Sequence, residues 1–434
     1  MAKLIRSILC GFLILIVSNN TEAQSLHAKK IATSFIGTEY HDYAQDLLIN
    51  KPDYVVYIPK NEKKVLGDTY NDHFQVFDNG KALLFAVWTQ ATKEADIDQH
   101  IVFSKSKDKG LTWTEPMVLA GSKNYTNPQL IASWQQPMVS KSGRIYVLWN
   151  QQINNQRPHH GNMFGVYSDD DGDTWSAPKM VTMERNDRDN IDISIPPNWC
   201  NWQRPLRLGE NGKYLVAVSR HGKAPYDKKW GVTTEFLQFD NIDENPSVDS
   251  IKLSWFAINE NSLKVEDEKF GSVCEEASIV KLPDGRLFAL MRTSSGYPFW
   301  SQSRDNGKIW TRPQILRDKD GGIPYLQPQS PCPIYDRKGP EAASGQYFAF
   351  VHNTFDFDGK NAHQIRGPLY LIAGKFNATS DQPIEFSPMQ LFAERPNRNS
   401  FYSSVTVVDG KTILWFPDRK FYLLGRIIGD EWFE

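Results

Sequence analysis

Histidine and arginine side chains suited to acid–base and anion-binding chemistry recur at the ends of apolar runs in this chain. His159 and His160 stand together in a loop rich in Asn and Gln, a setting typical of neither a core nor a strand. Imidazole titrates near physiological pH, so either ring can accept or donate a proton. Arg204 and Arg220 flank one predicted strand–turn–strand unit, and paired arginines hold a carboxylate well. The pattern predicts His159 or His160 as acid or base on an anionic ligand; ordinary loop histidines are the alternative.

Further side chains are expected to contact the same ligand. Arg292 ends its predicted strand at the position that Arg220 occupies one unit earlier. Glu275 and Glu276 are adjacent, so in a strand they point to opposite sides and cannot form a carboxylate pair. The predicted ligand-binding set is Arg292, His73, Gln136, Trp202 and Tyr297.

Two cysteines and two histidines are predicted to meet at one level. His221 and His352 end predicted strands, whereas Cys274 and Cys332 begin predicted strands of neighbouring units. Two thiolates and two imidazoles match tetrahedral zinc, and four protein ligands would make the site structural. A Cys274–Cys332 disulfide and unpaired buried thiols are the alternatives. Cys200 makes the number of cysteines beyond the N-terminal segment odd, so a disulfide would leave one unpaired.

Three copies of one turn motif indicate which elements position these residues. The copies begin at Ser106, Ser168 and Ser303, and each reads S-x-D-x-G-x-x-W with a proline three residues beyond the tryptophan. Ser and Asp oxygens can satisfy the turn's own N–H groups, Gly permits a positive φ, and Trp packs back on the sheet. The motif resembles the Asp-box of sialidases and related β-propellers, and three copies predict an all-β propeller.

A second repeat predicts the number of blades. Strand–turn–strand units of this period, without a convincing amphipathic helix, are typical of four-stranded antiparallel blades. Six blades are counted in this way, and residues 54–58 could close the ring or belong to another blade. The repeat is a turn glycine followed by an apolar strand, at Gly80, Gly143, Gly212, Gly285, Gly345 and Gly410.

The repeat also predicts which face carries the site. In each blade the glycine hairpin joins the inner strand to the second strand, and the Asp-box joins the third strand to the fourth. Both turns then lie on one face of the propeller. The candidate residues stand at the starts of inner strands and the ends of second strands, so we expect them on the opposite face, around the central channel.

Bulk properties exclude some classes of function. Residues 1–23 have the charged start, apolar segment and small-residue cleavage site of a signal peptide, too short to span a membrane comfortably. We expect residues 24–434 to be one exported, monomeric β-propeller domain, in the periplasm, at the cell surface or secreted. The chain has 49 Lys and Arg residues against 51 Asp and Glu residues, so it has no excess of positive charge and nucleic acid is not an expected partner. The 13 tryptophans suit sugar faces, although propeller cores also use them.

Longer stretches resemble Bacteroidetes propeller enzymes that cleave the bond between L-rhamnose and D-glucuronic acid. That group includes rhamnose–glucuronate lyases and rhamnosidases, and ulvan lyases are more distant relatives. The resemblance implies seven blades, which we favour over the six counted, and a rhamnose- and uronate-containing anionic glycan as partner. The stretches are 67–75, 133–137, 158–161, 219–222 and 330–333.

The resemblance leaves the reaction open. A lyase would use Arg204 and Arg220 to neutralise the uronate carboxylate and His159 or His160 to move the C5 proton, although Gln136 and its neighbour stand where ulvan lyases carry another histidine. A rhamnosidase would use a single histidine on the opposite face, for which His41 is the candidate. We favour the polysaccharide lyase. A sugar-binding propeller without activity and a sialidase-like hydrolase are further alternatives; the sialidase Arg-Ile-Pro and tyrosine–glutamate pair are not evident.

Overall fold

Six antiparallel sheets form the blades of a propeller, with the inner strand of each blade beside the channel. The inner strand of blade 1 contacts those of blades 2 and 6, and the inner strand of blade 4 contacts that of blade 5. The structure is a computed structural model. It describes residues 27–34, 46–60, 67–81, 83–121, 130–153, 159–209, 212–222, 231–269, 271–340, 342–354, 366–395 and 401–434. The predicted signal peptide lies outside these residues. Within them, no helix combines the length and apolar character that a membrane crossing requires.

The first two blades are regular four-stranded sheets. Blade 1 contains β2 (Tyr70–Asp78), β3 (Leu84–Ala91), β4 (His100–Ser106) and β5 (Met117–Gly121). Blade 2 contains β6 (Ala132–Val139), β7 (Ile145–Gln152), β8 (Gly161–Ser168) and β9 (Lys179–Val181).

The inner strand of blade 3 is interrupted, because residues 201–205 leave the ladder between two short strands that both pair with the second strand. Blade 3 contains β10 (Trp199–Cys200), β11 (Leu206–Arg207), β12 (Tyr214–His221), β13 (Val232–Phe239) and β14 (Leu253–Phe256). A two-stranded hairpin of β15 (Glu266–Asp267) and β16 (Gly271–Ser272) follows.

The remaining blades end with closure of the ring. Blade 4 contains β17 (Cys274–Lys281), β18 (Leu287–Thr293), β19 (Phe299–Ser303) and β20 (Gln314–Ile315). Blade 5 contains β21 (Ile334–Asp336), β22 (Gln346–Val351), β23 (Leu369–Phe376), β24 (Ile384–Phe386) and β25 (Gln390–Ala393). Blade 6 contains β26 (Ser404–Val408), β27 (Lys411–Asp418), β28 (Tyr422–Ile428) and β1 (Tyr54–Tyr57).

Short helical segments lie between or beside the blades. Complete 3-10 turns within the described residues occupy Ile242–Glu244, Val248–Ser250, Asn259–Asn261 and Asp430–Trp432. Residues 27–34 and 46–48 are α-helical, and their apolar side chains pack on the core between blades 5 and 6.

The N-terminal strand β1 closes the ring by pairing with β28, Tyr54 opposite Gly425 and Val55 opposite Leu424. The first of the two roles predicted for residues 54–58 is therefore confirmed. The described residues form six blades, the number counted from the glycine repeat, and six apolar clusters fill the spaces between neighbouring blades. The seventh blade that the family resemblance implied is not found among them.

The Asp-box turns have the predicted chemistry. In the first copy the Ser106 hydroxyl donates to Asp108 at 2.8 Å and accepts from the N–H of Gly110 at 2.8 Å. The three motif glycines have φ values of +92°, +81° and +88°, and a Cβ on each would lie 2.3 to 2.8 Å from a side chain of the preceding blade. Each Asp-box therefore fastens its blade to the blade before it, and only glycine fits the contact.

Candidate functional site

Three inner strands begin with the same irregularity, a β-bulge around a residue in the left-handed region. The ladder shifts register between Asp72 and Gln75 in β2, and the equivalent shift occurs at the start of β6 and of β17. His73, Trp134 and Glu276 occupy these bulges with φ of 52°, 58° and 51°. Bulges re-aim side chains, and such backbone strain in non-glycine residues clusters at functional sites. The three residues mark one level of the channel wall.

Tyr402, Glu276 and Arg292, here called the tyrosine cluster, meet at this level. The Tyr402 hydroxyl donates to Glu276 Oε1 at 2.8 Å, and Arg292 Nη1 lies 2.5 Å from Glu276 Oε2. Arg292 Nε also lies 3.2 Å from Glu275 Oε1, and Arg292 Nη1 donates to the Tyr402 hydroxyl at 3.3 Å. The Arg292 guanidinium thus contacts two adjacent carboxylates and a tyrosine that is distant from them in sequence.

The contacts of Glu275 and Glu276 correct the sequence interpretation. The strand alternation rule predicted that these neighbours could not act as a pair, but the left-handed backbone at Glu276 breaks the alternation, and both carboxylates reach Arg292.

Burial sets the protonation states of the tyrosine cluster. It raises the pKa of Tyr402 well above its usual value, and the Glu276 carboxylate raises it further, so the phenol keeps its proton. Burial opposes the charge of Arg292, but the Glu275 and Glu276 carboxylates outweigh it and hold the pKa of Arg292 well above its usual value. Burial lowers the pKa of Arg366, and the nearby charge of Arg292 lowers it further. Arg366 itself donates to the Gln329 carbonyl at 2.9 Å.

A row of rings continues from the tyrosine cluster around the channel. His73 lies between the rings of Tyr402 and Trp134, at centroid distances of 4.9 and 5.8 Å. Trp134 in turn lies 4.8 Å from His159, and His159 stacks on His221 at 4.6 Å with an interplanar angle of 8°. Burial lowers the pKa of His73 to about 3, with Lys420 adding to the shift, so this imidazole is neutral at physiological pH.

His159, Cys200 and His221, here called the histidine–cysteine cluster, end this row. Their potential metal-binding atoms all lie within 4.8 Å of one another, and Cys200 Sγ lies 3.6 Å from His221 Nε2. Cys200 and His221 are buried, whereas His159 is partly exposed. This set of donor atoms is suited to a soft or borderline transition metal.

The predicted zinc set does not assemble, so that ligand set is wrong. Of its members, only His221 belongs to the histidine–cysteine cluster. The Cys274 thiol packs against Met291 Sδ at 3.4 Å in the core between blades 3 and 4, and Cys332 lies in the core between blades 4 and 5. His352 contacts the Ser330 hydroxyl at 3.0 Å and a backbone carbonyl. The three cysteines of the described residues are free and buried, so the predicted disulfide alternative is also absent.

The predicted arginine pair is separated by the structure. The Arg220 side chain is fully buried, forms an ion pair with Asp189 at 2.7 Å and lies over the ring of Trp255. Arg204 lies over Phe77 and lines a cavity of about 340 Å³ in the half of the channel nearer the glycine hairpins. Two features separate the arginines. Strand alternation turns the Arg220 side chain away from the side that His221 faces, and Arg204 lies in the interrupted part of the inner strand of blade 3. The expectation that both reach one pocket was wrong.

The other predicted residues divide between the site and its support. His73 and Arg292 belong to the site, as described above. Trp202 is buried beneath it, donates to the Glu276 carbonyl at 2.8 Å and packs edge-on against Tyr402, so it supports these residues and offers no open face to a sugar.

The remaining predicted residues lie close to the site but outside both clusters. Gln136 is fully buried in β6, and neither atom of its side-chain amide has a hydrogen-bond partner within the described part of the chain. Tyr297 stands in the loop after β18, where its carbonyl accepts from Thr293 at 2.7 Å. His160 is buried and forms a backbone bridge with Asn198. His41 lies outside the described residues.

Sequence reasoning placed Tyr402, Glu276 and Trp134 on the expected functional face but assigned them no role, and it missed Cys200. A usable signal existed, because Tyr402 and Glu276 stand at the starts of inner strands, at the level already chosen for His73. The contact between blades 4 and 6 across the channel was not available from spacing. The position of Cys200 could not be predicted because the inner strand of blade 3 is irregular.

Comparison with known proteins identifies related folds. Residues 82–414 match the family model described as a BNR repeat-like domain. No curated protein sequence matches the chain. A protein of unknown function from Dyadobacter fermentans superposes with a TM-score of 0.55 at 17% identity, covering 86% of this chain and 96% of its own.

Two similar structures are enzymes by name. The NanB sialidase from Streptococcus pneumoniae superposes with a TM-score of 0.60 at 14% identity, over 86% of this chain and 69% of the sialidase. The α-L-arabinanase of Penicillium chrysogenum, in complex with arabinobiose, gives a TM-score of 0.55 at 13% identity, over 87% and 98% of the two chains. At these identities the likeness establishes the fold alone.

Proposed function

The chain belongs to the BNR repeat-like domain family, and from that premise we propose that it is a carbohydrate-active enzyme, a glycoside hydrolase acting on a sugar that bears a carboxylate. The observation that carries the proposal is the 2.8 Å hydrogen bond from Tyr402 to Glu276, whose second oxygen is held by Arg292. Most glycoside hydrolases use two carboxyl groups, whereas sialidases use a tyrosine nucleophile. The similar fold of a protein named as a sialidase adds support.

The pair assigns distinct roles. Glu276 accepts the phenolic proton as the Tyr402 oxygen bonds to the anomeric carbon and the glycosidic bond breaks, the leaving oxygen taking a proton from water. Water then hydrolyses the tyrosyl intermediate and Glu276 returns the proton to Tyr402, while Arg292 stabilises Glu276 in its charged form. A phenol that keeps its proton until attack carries no charge to repel an anionic sugar, which a carboxylate nucleophile would do. Arg292 and Arg366 supply positive charge for the sugar carboxylate.

The linkage between L-rhamnose and D-glucuronic acid remains the proposed target. Tyr402 would attack the anomeric carbon of rhamnose, and the glucuronate whose O4 leaves carries the carboxylate that meets the arginines. Elimination is a second candidate reaction. In its favour, the His73 imidazole is neutral and its ring centroid lies 4.9 Å from that of Tyr402, which holds a proton to donate. A lyase would use His73 as base, Tyr402 as acid and Arg292 to neutralise the uronate.

The reaction products separate the two candidates. The protein would be incubated with gum arabic, with a rhamnosyl-glucuronate oligosaccharide, and with sialosides and arabinosides. A hydrolase releases a new reducing sugar with no unsaturated product and retains the anomeric configuration, because a covalent tyrosyl intermediate inverts it twice. A fluorinated analogue that accumulates this intermediate should label Tyr402 in a peptide digest.

Three results would contradict hydrolysis through Tyr402. The ultraviolet absorbance of an unsaturated uronate, lost in His73→Ala, would establish elimination. An inverted product would exclude a tyrosyl intermediate. Binding without turnover on every glycan would favour the sugar-binding propeller.

A further inference from the structure

Cys200 and His221 already have the separation that a bound metal requires. Zinc binds thiolate at about 2.3 Å and imidazole at about 2.05 Å, so tetrahedral angles place the sulfur and the nitrogen about 3.6 Å apart. The observed distance from Cys200 Sγ to His221 Nε2 is 3.6 Å. The separation of this pair therefore already matches that of two ligands on one zinc ion.

His159 is placed to provide the third ligand. Its ligand atom lies within 4.8 Å of those of Cys200 and His221, and its ring stacks parallel to that of His221. A metal lies in the plane of each imidazole that binds it, so the His159 ring must turn out of this stack. His159 is the one partly exposed member of the cluster, so solvent reaches the cluster on the side of this residue.

Backbone hydrogen bonds hold the three ligands together before any metal arrives. The His159 carbonyl accepts from the N–H of Trp199 at 3.0 Å, and Trp199 precedes Cys200 in β10. The N–H of His221 donates to the carbonyl of Asn198 at 2.9 Å, one residue before β10. These hydrogen bonds join the three segments that carry His159, Cys200 and His221. Because the segments are already held together, less entropy is lost when a metal site forms.

We propose that His159, Cys200 and His221 form a zinc site on the wall of the channel, with three protein ligands and a fourth position open to water or ligand. Two imidazoles and one thiolate are donors that zinc accepts, and three protein ligands with one open position differ from a closed structural site. The site does not depend on the proposed hydrolase activity, because no member of the tyrosine cluster is a ligand.

The test measures metal directly. The purified protein is stripped with a chelator, reloaded with Zn²⁺ alone or with Co²⁺ alone, desalted and subjected to elemental analysis. We expect one equivalent of zinc per chain, and with cobalt the charge-transfer absorption of a metal–thiolate bond. Cys200→Ser should abolish that absorption and weaken zinc binding by more than about tenfold, since even loss of an outer-shell partner commonly costs that much.

Cys332→Ser is the matched control, because Cys332 is equally buried but lies in the apolar core between blades 4 and 5. It should bind zinc as the wild type does. If Cys200→Ser does not fold, His159→Ala provides the same loss of metal from a partly exposed position. Folded wild-type protein that retains neither zinc nor cobalt would overturn the proposal, as would a Cys200→Ser variant with undiminished zinc. Retention of copper without zinc would overturn the choice of metal.

Discussion

Replacement of Tyr402 by phenylalanine removes one oxygen atom from the centre of the tyrosine cluster. The phenol donates to Glu276 at 2.8 Å and accepts from Arg292 at 3.3 Å, and phenylalanine preserves the ring that packs against His73 and Trp202. Without a nucleophile, the covalent route is closed. We expect kcat/KM to fall by about 10³-fold or more, which corresponds to about 4 kcal/mol of lost transition-state stabilisation.

The same change should cost little stability. A hydrogen bond to a charged group contributes about 1.5–3 kcal/mol. Glu276 retains Arg292 on its other oxygen at 2.5 Å, so we expect the low end, about 1.5 kcal/mol. Domains are stable by about 5–15 kcal/mol, and the variant should therefore remain folded.

Tyr335→Phe is the matched control. Tyr335 is also buried, and its hydroxyl donates to the Ser403 carbonyl at 2.6 Å, but it lines the half of the channel nearer the hairpins. The Tyr335→Phe variant should be about 1 kcal/mol less stable than the wild type and should keep full activity. Urea unfolding and initial rates on the same preparations give both quantities. If Tyr402→Phe keeps its activity within about tenfold of wild type while folded, the phenol is neither nucleophile nor acid, and the argument from its hydrogen bond fails.

Further substitutions probe the fold around the site. Arg220→Ala should destabilise the protein by about 3–5 kcal/mol because it strands a buried carboxylate, whereas Arg204→Ala should cost less than about 1 kcal/mol; equal melting temperatures would contradict this. Burial lowers the pKa of His352 to about 3, below the value of about 6.5 expected in the unfolded chain, so stability should fall as pH drops from 6.5 towards 3. His352→Gln should remove about one proton from that dependence, measured as unfolding free energy against pH; an unchanged slope would refute it. Gly172→Ala should destabilise by about 1–3 kcal/mol more than Gly80→Ala, since both have positive φ but only the first meets an aromatic ring of the neighbouring blade.

The fold was predictable because the turns repeat their own local chemistry. A serine, an aspartate and a glycine at fixed spacing satisfy one another within a single turn, and three copies behave alike. All six hairpin glycines adopt positive φ, as the repeat required. The strand that closes the ring was also recognisable from its apolar residues. The seven-blade expectation came from resemblance, and the six counted blades came from these repeats.

Side-chain direction was predictable only where strands remain regular. Arg220 and His221 are neighbours in β12, so alternation allows only one of them to face the channel, and assigning function to both overlooked that constraint. Glu276 presents the opposite case. Alternation was applied there and failed, because a bulge cannot be recognised in Cys-Glu-Glu-Ala by composition.

The three bulges support the prediction that the functional face of the propeller is the one opposite the glycine hairpins and Asp-boxes. His73, Trp134 and Glu276 each hold a left-handed conformation that costs of order 1–3 kcal/mol, and packing alone would favour ordinary strand geometry. The strain occurs at one level in three blades, and each strained residue contacts another member of the site: Tyr402 contacts two of them, and His159 contacts the third. Strain at a single blade would need only a local explanation. Its repetition at the positions that bring a phenol, a carboxylate and two imidazoles together is what selection for a site on this face would produce.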